Sequence, residues 1–388
     1  MDFRLSEEHI FLQSTIRTFV SRECPRESIN LQDEDNAFPV ELLAKLGSMG
    51  LCALNLPEVY GGGGQDLLGT SLVIEEIAAM SPVLAGLFAN TVLYGGQVIA
   101  AMGTSEQHER WLPQIGEGKL VFGCHPMSAS GIEAYQDQAG YILNGTTPLI
   151  SLLEHADFLI VSAGLDVGDD RQIACFVVPA NADGVHLRRS DMVGWRGAGS
   201  GTIYLEDVHV GVENILGGPG GSNQGETQVE AIKAIQHLAE AAIKVGLAQG
   251  AIDYTANYAS ERAQFGRPIV SFEAIEHMLV DLTVDLHSTR WLLRHACWKA
   301  DQDLPYAFEA ASACLQALNL SRQAGLKSVH ILGGYGYMAE YDAERYFRDS
   351  LVLYSVNEGS VLLKSEIGRL AGLRRRGRAT GHSGFRTG

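Results

Sequence analysis

The chain has 388 residues, of which 46% are hydrophobic and 19% are charged, so it has enough apolar material for two or three domains with sizeable cores. Its formal net charge of -17 excludes general binding to nucleic acid or to an anionic membrane surface, because such polyanions are held mainly by clustered Lys and Arg. The 6 cysteines are widely scattered without CxxC pairing, so we expect reduced thiols, no metal site and no disulfide framework.

The amino terminus, MDFRLSEEHIFL, has acidic residues where a signal peptide needs a basic region followed by an apolar one. No uncharged apolar run of about 18 residues occurs in the sequence. These features predict a cytoplasmic protein without a membrane span.

Residues 1–118 have apolar positions at helical spacing, and glycines mark the ends of the segments. Gly50 closes one predicted helix, and the four glycines at 61–64 form a break. Thr104 and Gln107 have capping-box spacing, which predicts the start of a short helix. We therefore expect an all-helical first domain.

Between residues 119 and 226 the pattern changes to short β-rich runs. Clusters of Gly, Asn and Asp separate the runs, which begin at Tyr141, Phe158, Ile173 and Thr202. The pattern predicts a small β-barrel domain with antiparallel strands.

Helical spacing returns at residues 227–372. One apolar stripe comprises Val229, Ile232, Ile235, Leu238, Ala242 and Val245, and a second comprises Phe272, Ile275, Leu279, Leu282, Leu286 and Leu293. Two further segments, 306–332 and 344–370, complete a predicted four-helix bundle and an α+β fold overall. The remaining residues, 373–388, form a basic tail that we expect to be disordered.

Two motifs in the last domain carry distinctive combinations of residues. The segment YASERAQFGRPI contains Arg262, whose guanidinium fork can neutralise a pyrophosphate, and Phe265, a flat apolar side chain. The segment HILGGYGYMAEYDAERYFRD begins at His330 and contains Gly333 and Gly334, which allow a ligand to approach the backbone closely.

These motifs resemble signatures of the acyl-CoA dehydrogenase family, and related segments such as DMVGWRGAGSGTIYLEDVHVGVENILG extend the resemblance over nearly the whole chain. The family has a helical domain, a β domain and a four-helix bundle. The resemblance implies a flavoprotein that binds FAD and forms a dimer of dimers. It places Arg262, Phe265, His330, Gly333 and Gly334 against the FAD of a neighbouring subunit.

The flavin-ring side differs from the family pattern. The family's T-E-P-x-x-G-S-D stretch corresponds to HPMSASGI here, so His125 replaces its first Thr. The family's W-I-T-N stretch corresponds to LISL, where the hydroxyl of Ser151 matches the Thr. The resemblance therefore implies a ring contact for Ser151 on an altered ring side.

The resemblance also suggests several residues for the catalytic base, which must be able to accept the α-proton of the acyl thioester. In the loop SVNEGSVLL, matching the Glu-Gly pair selects Glu358, whereas a count without gaps selects Asn357. Some relatives carry the base on the first bundle helix, at the position of Gln236 beside His237. His237 is a further candidate base and a candidate substrate contact. The neighbouring Gly359 and Ser360 are assigned to the cofactor site.

Three functions remain open at this point. The first is FAD-dependent α,β-desaturation of an acyl thioester, bound to CoA or to a carrier protein, with an electron-transfer flavoprotein or similar acceptor. The second is a catalytically diverged subunit that contributes Arg262, Phe265, Gly333 and Gly334 to an intact partner chain in a hetero-oligomer. The third is a redirected flavoenzyme, such as a monooxygenase or a biosynthetic tailoring enzyme.

Overall fold

The computed structural model describes residues 4–37, 39–64, 66–125, 131–138, 140–167, 170–352 and 360–373. Helices form both ends of this chain, and one sheet lies between them. The expected basic tail lies outside the described residues apart from its first position, Leu373.

The first region is helical, as predicted. Side chains cap four of its helices: Ser6 accepts a hydrogen bond from the backbone of His9, Asp66 does so from Gly69, Ser81 does so from Leu84, and Thr104 pairs with Gln107 in the predicted capping box. The helices are α1 (Glu7–Glu23), α2 (Arg26–Glu34), α3 (Val40–Ser48), α4 (Leu67–Ala78), α5 (Pro82–Ala89), α6 (Val98–Met102) and α7 (Ser105–Gly116).

A π-helical stretch, Asn90–Gln97, joins α5 to α6. The continuous helix Pro82–Met102 is long and apolar enough to cross a membrane, but 89% of its most apolar window is buried inside the protein. Its apolar character therefore follows from packing in the core of the first region.

The central region is a seven-stranded sheet in the order β1-β4-β2-β3-β7-β6, with β5 paired to β4. The strands are β1 (Phe122–His125), β2 (Ile132–Gln136), β3 (Tyr141–Thr146), β4 (Phe158–Val167), β5 (Asp170–Pro179), β6 (Val185–Arg189) and β7 (Gly201–Val210). Alternate side chains along β7 are buried against the apolar core of the sheet.

The expected antiparallel pairing is found in four strand pairs, β2–β3, β3–β7, β4–β5 and β6–β7, but β1 and β2 both pair with β4 in parallel. Both strands run in the same direction along β4, with Phe122 opposite Phe158 and Glu133 opposite Gly164. Hairpin signals in a sequence report on consecutive strands only. The sheet is therefore mixed.

Three long helices form most of the last region, and two short helices complete it. The helices are α8 (Gly225–Glu261), α9 (Glu273–Asp301), α10 (Ala307–Leu332), α11 (Ala343–Leu351) and α12 (Ser360–Leu370). Within the predicted single segment 344–370, the described residues form two helices, α11 and α12. Helix α11 ends because Val352 adopts an extended backbone conformation.

The 6 cysteines are all free and buried. Burial raises the pKa of the Cys24 thiol to about 11, so the reactive thiolate is scarce at neutral pH. Among the described residues, no group of three or more potential metal ligands occurs.

Candidate functional site

A short hairpin follows the long helix α8. Strands β8 (Ala263–Gln264) and β9 (Arg267–Pro268) pair through the two-residue turn Phe265–Gly266, whose φ angles are 53° and 79°. Two positive φ values are typical of a type I′ hairpin turn, although Phe rarely adopts one. The turn holds the Phe265 side chain 93% exposed at the tip of the hairpin. An exposed aromatic ring on a strained turn indicates a binding surface.

The two motifs of the last region meet beside this hairpin. The guanidinium carbon of Arg262 lies 5.3 Å from the centroid of the Tyr335 ring, a cation–π contact. Arg262, Phe265, Gly334 and Tyr335 line one open cavity of about 430 Å³. Among the described residues, Arg262 forms no ion pair and its side chain donates no hydrogen bond. Its charge is therefore available to an anionic ligand.

Gly333 and Gly334 present bare backbone beside that cavity. Gly333 has φ 61° and ψ -131°, a combination that is essentially restricted to glycine. A Cβ atom at Gly334 would have no atom of the described chain within 4 Å. The second glycine is thus required neither by the backbone conformation nor by internal packing, which is consistent with close approach of an external molecule.

Two other predicted residues do not line this cavity. His330 lies on the last turn of α10 with an exposed side chain. Ser360 is the first residue of α12. Asn357, Glu358 and Gly359 lie outside the described residues, as does the side chain of His125.

Ser151 belongs to a different part of the chain, between β3 and β4. It is buried, and Ser200 donates a hydrogen bond to its hydroxyl oxygen over 3.2 Å. The backbone of neighbouring Ile150 pairs with Gly201. Ser151 does not line the Arg262 cavity, so within one chain the predicted ring contact and the predicted pyrophosphate contact are in separate places.

Gln236 and His237 are both buried on α8. The Nε2 atom of His237 lies 4.0 Å from a carboxylate oxygen of Glu366 on α12. His237 thus has a carboxylate neighbour that could orient its ring, a relationship that the sequence did not reveal.

Sequence reasoning missed a row of buried polar residues on α8. Gln236, Glu240 and Lys244 recur at four-residue spacing and are all buried, so they share one face of the helix. Burial lowers the pKa of Lys244, and burial also raises the pKa of Asp349, a near neighbour on α11. The four-residue spacing of these polar residues along the helix was the available signal.

Comparison with known proteins assigns all three regions to one family. Family models described as acyl-CoA dehydrogenase N-terminal, middle and C-terminal domains match residues 6–119, 123–208 and 223–360. The chain is 32% identical to the "Probable acyl-CoA dehydrogenase YngJ" of Bacillus subtilis, over 95% of this chain and 98% of that protein.

Two further similarities, one to a relative and one to a solved structure, extend this comparison. The chain is 30% identical to the "Caffeyl-CoA reductase-Etf complex subunit CarC" of Acetobacterium woodii, over 92% of this chain and 95% of that protein. A solved glutaryl-coenzyme A dehydrogenase with glutaryl-CoA superposes with a TM-score of 0.88 at 29% identity, covering 97% of this chain and 98% of that one.

Proposed function

The chain belongs to the acyl-CoA dehydrogenase family of FAD-dependent oxidoreductases, and on that basis we propose that it catalyses α,β-desaturation of an acyl thioester with Glu358 as the catalytic base. The acyl group is carried by CoA or by a carrier protein. The observation that carries the proposal is the cavity at which Arg262 and Gly334 meet.

The residues around that cavity fit the diphosphate and adenosine part of FAD. Arg262 has no anionic partner among the described residues, and a guanidinium can bind a pyrophosphate through two parallel hydrogen bonds. Gly333 and Gly334 leave their backbone accessible. Phe265 offers an exposed apolar face. We also assign His330, Gly359 and Ser360 to contacts with the same cofactor.

The reaction needs a base and a hydride acceptor. The Glu358 carboxylate takes the proton from the α-carbon of the acyl group, and the β-hydrogen leaves with its electron pair as a C=C bond forms. When bound, FAD supplies the acceptor for that hydride. Ser151 contributes a hydroxyl on the ring side. His237 is the alternative base and a contact for the thioester, while Asn357 cannot accept a proton at neutral pH.

We propose that the protein is a cytoplasmic dimer of dimers. The exposed Phe265 and the Arg262 cavity support a contact with the cofactor of a second subunit, because Ser151 does not line that cavity. A separate apolar face on α9, made up of Val280, Val284, Trp291 and Trp298, is also exposed. We assign this α9 face to the contact between dimers. The similarity to CarC supports an electron-transfer flavoprotein as the acceptor.

A second candidate is a diverged subunit that lends the Arg262 cavity to the FAD of an intact partner chain. The observation that favours it is that this cavity combines a free guanidinium with bare glycine backbone, whereas the ring side departs from the family pattern. A redirected flavoenzyme is the third possibility from the sequence, and no described contact favours it.

The test is anaerobic mixing of the purified chain with a series of acyl-CoA thioesters, followed by flavin absorbance. The proposal expects a yellow protein with near-stoichiometric flavin and bleaching by at least one thioester. A colourless chain that acquires flavin only with a second polypeptide would favour the diverged subunit. A yellow chain that no acyl-CoA or carrier-bound thioester bleaches would favour a redirected flavoenzyme.

A further inference from the structure

Lys244 is a fully buried cation in the bundle. Its Nζ atom donates hydrogen bonds to the carbonyl oxygens of Asp349, at 3.1 Å, and of Val352. The same atom lies 5.5 Å from the centroid of the Trp195 ring. An ammonium has three protons, and two carbonyls and an aromatic face provide three partners. The Lys244 charge thus contacts both the carboxyl end of α11 and Trp195 of the central region.

Trp195 belongs to a turn, residues 194–200, that lies between β6 and β7 of the central region and contacts the bundle. Its φ angle of 53° is in the left-handed region, which large side chains rarely occupy. Its backbone N–H donates to the Asp349 carboxylate over 2.7 Å. A Cβ atom at Gly194 would overlap the carbonyl group of Arg348, so this turn lies directly on α11.

The same turn supports the segment that contains Ser151. The carbonyl oxygen of Ala198 accepts a hydrogen bond from Leu152 N over 2.9 Å. Ser200 donates from its hydroxyl to the hydroxyl oxygen of Ser151 over 3.2 Å. A continuous series of contacts therefore runs from Lys244 through Asp349 and the turn to Ser151.

We propose that Lys244 is a positioning residue for the flavin-ring side of the cofactor site. The ammonium holds the end of α11 and the Trp195 ring together, and the turn 194–200 transmits this position to Ser151. The role of Ser151 at the flavin ring rests on the function proposed above. The contacts between Lys244, Asp349 and the turn are independent of that proposed function.

A purely stabilising role explains these contacts less well. Burying an ammonium carries a large desolvation penalty, and apolar residues of similar size often replace buried charges without loss of stability. The charged groups near Lys244 are the carboxylates of Glu240 and Asp349, and the Cys314 thiol also faces it. Directed hydrogen bonds from a charged group hold the contacted residues in one relative position more specifically than apolar packing does.

The test compares Lys244→Met with Lys299→Met in the full-length protein. Met preserves side-chain length without charge or donors. Lys299 forms a partly buried 2.7 Å ion pair with Glu309 at another place in the bundle, so its variant controls for a general loss of stability. The first measurement is hydrogen–deuterium exchange of the peptide containing Trp195, without FAD or thioester. The second is the visible spectrum and dissociation constant of added FAD.

We expect Lys244→Met to accelerate exchange of the Trp195 amide, shift the flavin absorption bands and weaken FAD binding about tenfold, as loss of outer supporting contacts does at metal sites. Lys299→Met should change none of these. Asp349→Ala should reproduce the effect, and the double variant should be no worse than either single variant, because both act through one contact series. If Lys244→Met does not fold, Lys244→Gln and Asp349→Ala are compared by the same measurements.

Unchanged exchange of the Trp195 amide in a folded Lys244 variant would overturn the proposal. Faster exchange with an unchanged flavin spectrum would show that Lys244 positions the turn but not the cofactor site, and would overturn that part of the proposal. Because exchange is measured without substrate, these outcomes are independent of whether the wild-type flavin is bleached by an acyl thioester.

Discussion

Arg262 and Tyr335 bring the two sequence motifs of the last region together, with the guanidinium carbon 5.3 Å from the ring centroid. Arg262 follows α8, and Tyr335 belongs to the Gly333–Tyr337 turn that follows α10. Their contact places a cation beside accessible glycine backbone. It is the basis for the first two predictions.

Arg262→Ala should weaken FAD retention by about 10- to 100-fold, because a charge-assisted contact contributes about 1.5–3 kcal/mol. Ser151→Ala should weaken it less, since a neutral hydrogen bond contributes about 1 kcal/mol. Fluorescence titration of the apoprotein with FAD measures both. Arg267→Ala is the control, because Arg267 belongs to the same hairpin and contacts the Phe272 ring but does not line the cavity. Equal losses for Arg262 and Ser151 would contradict the prediction.

Gly334→Ala should leave the melting temperature nearly unchanged and lower FAD affinity about tenfold or more. The added methyl group meets no atom of the described chain, so only an external ligand would oppose it. Gly220→Ala is a matched control, because a Cβ atom there also has no neighbour within 4 Å. Calorimetry and FAD titration separate the two effects. Normal FAD affinity in Gly334→Ala would argue against a cofactor on this backbone.

The purified protein should be a tetramer by light scattering at micromolar concentration. Trp291→Asp, on the exposed apolar α9 face, should give dimers that retain flavin, because it introduces a charge into the proposed contact between dimers. Asp285→Asn on the same helix is the control. A wild-type monomer with bound flavin would refute the shared-cofactor arrangement.

Glu358→Gln should abolish flavin bleaching by an acyl thioester and leave the visible spectrum and oligomeric state unchanged. The amide has nearly the same shape but cannot take the α-proton, and loss of a general base typically lowers the rate by about 10²–10⁴-fold. Anaerobic stopped-flow absorbance provides the measurement, with Glu340→Gln as a control at an exposed carboxylate. If Glu358→Gln bleaches as fast as wild type, His237 becomes the next residue to substitute.

Asp301 should make folding stability depend on pH between about 4 and 6. Burial raises the pKa of Asp301 from its usual 3.8 to about 6, although the backbone N–H groups of Leu67 and Leu68 donate to its carboxylate. The folded state therefore binds the proton more tightly than the unfolded state. The resulting stabilisation is fully present below about 3.8 and is lost as the pH rises through about 6.

Urea unfolding of the wild type and of Asp301→Asn at several pH values checks this sign. The free energy of unfolding of the wild type, relative to the variant, should fall from pH 4 to pH 6 and then level off. A relative stability that rises over this range would show that the carboxylate, rather than the neutral acid, is favoured in the fold.

The sequence by itself determined the order of helical region, sheet and helical bundle, because apolar periodicity reports on local structure. It also determined the family, through motifs around Arg262 and Gly333 that keep their order along the chain. The capping box at Thr104 and Gln107 was predictable for the same reason, since both partners lie within one turn. The assignments of Ser151 to the flavin ring and of Glu358 as the catalytic base also come from the family motifs, and they remain predictions.

Tertiary structure alone decided which distant segments meet. The parallel pairing of β1 with β4 joins strands separated by two others, and nothing local to either strand encodes it. Lys244 is one polar residue in a long helix, and only the folded chain brings its ammonium to Asp349 and to Trp195. Contacts between segments far apart in sequence depend on how all regions pack around a common core. For that reason the residues proposed to position the flavin-ring side became visible only in the fold.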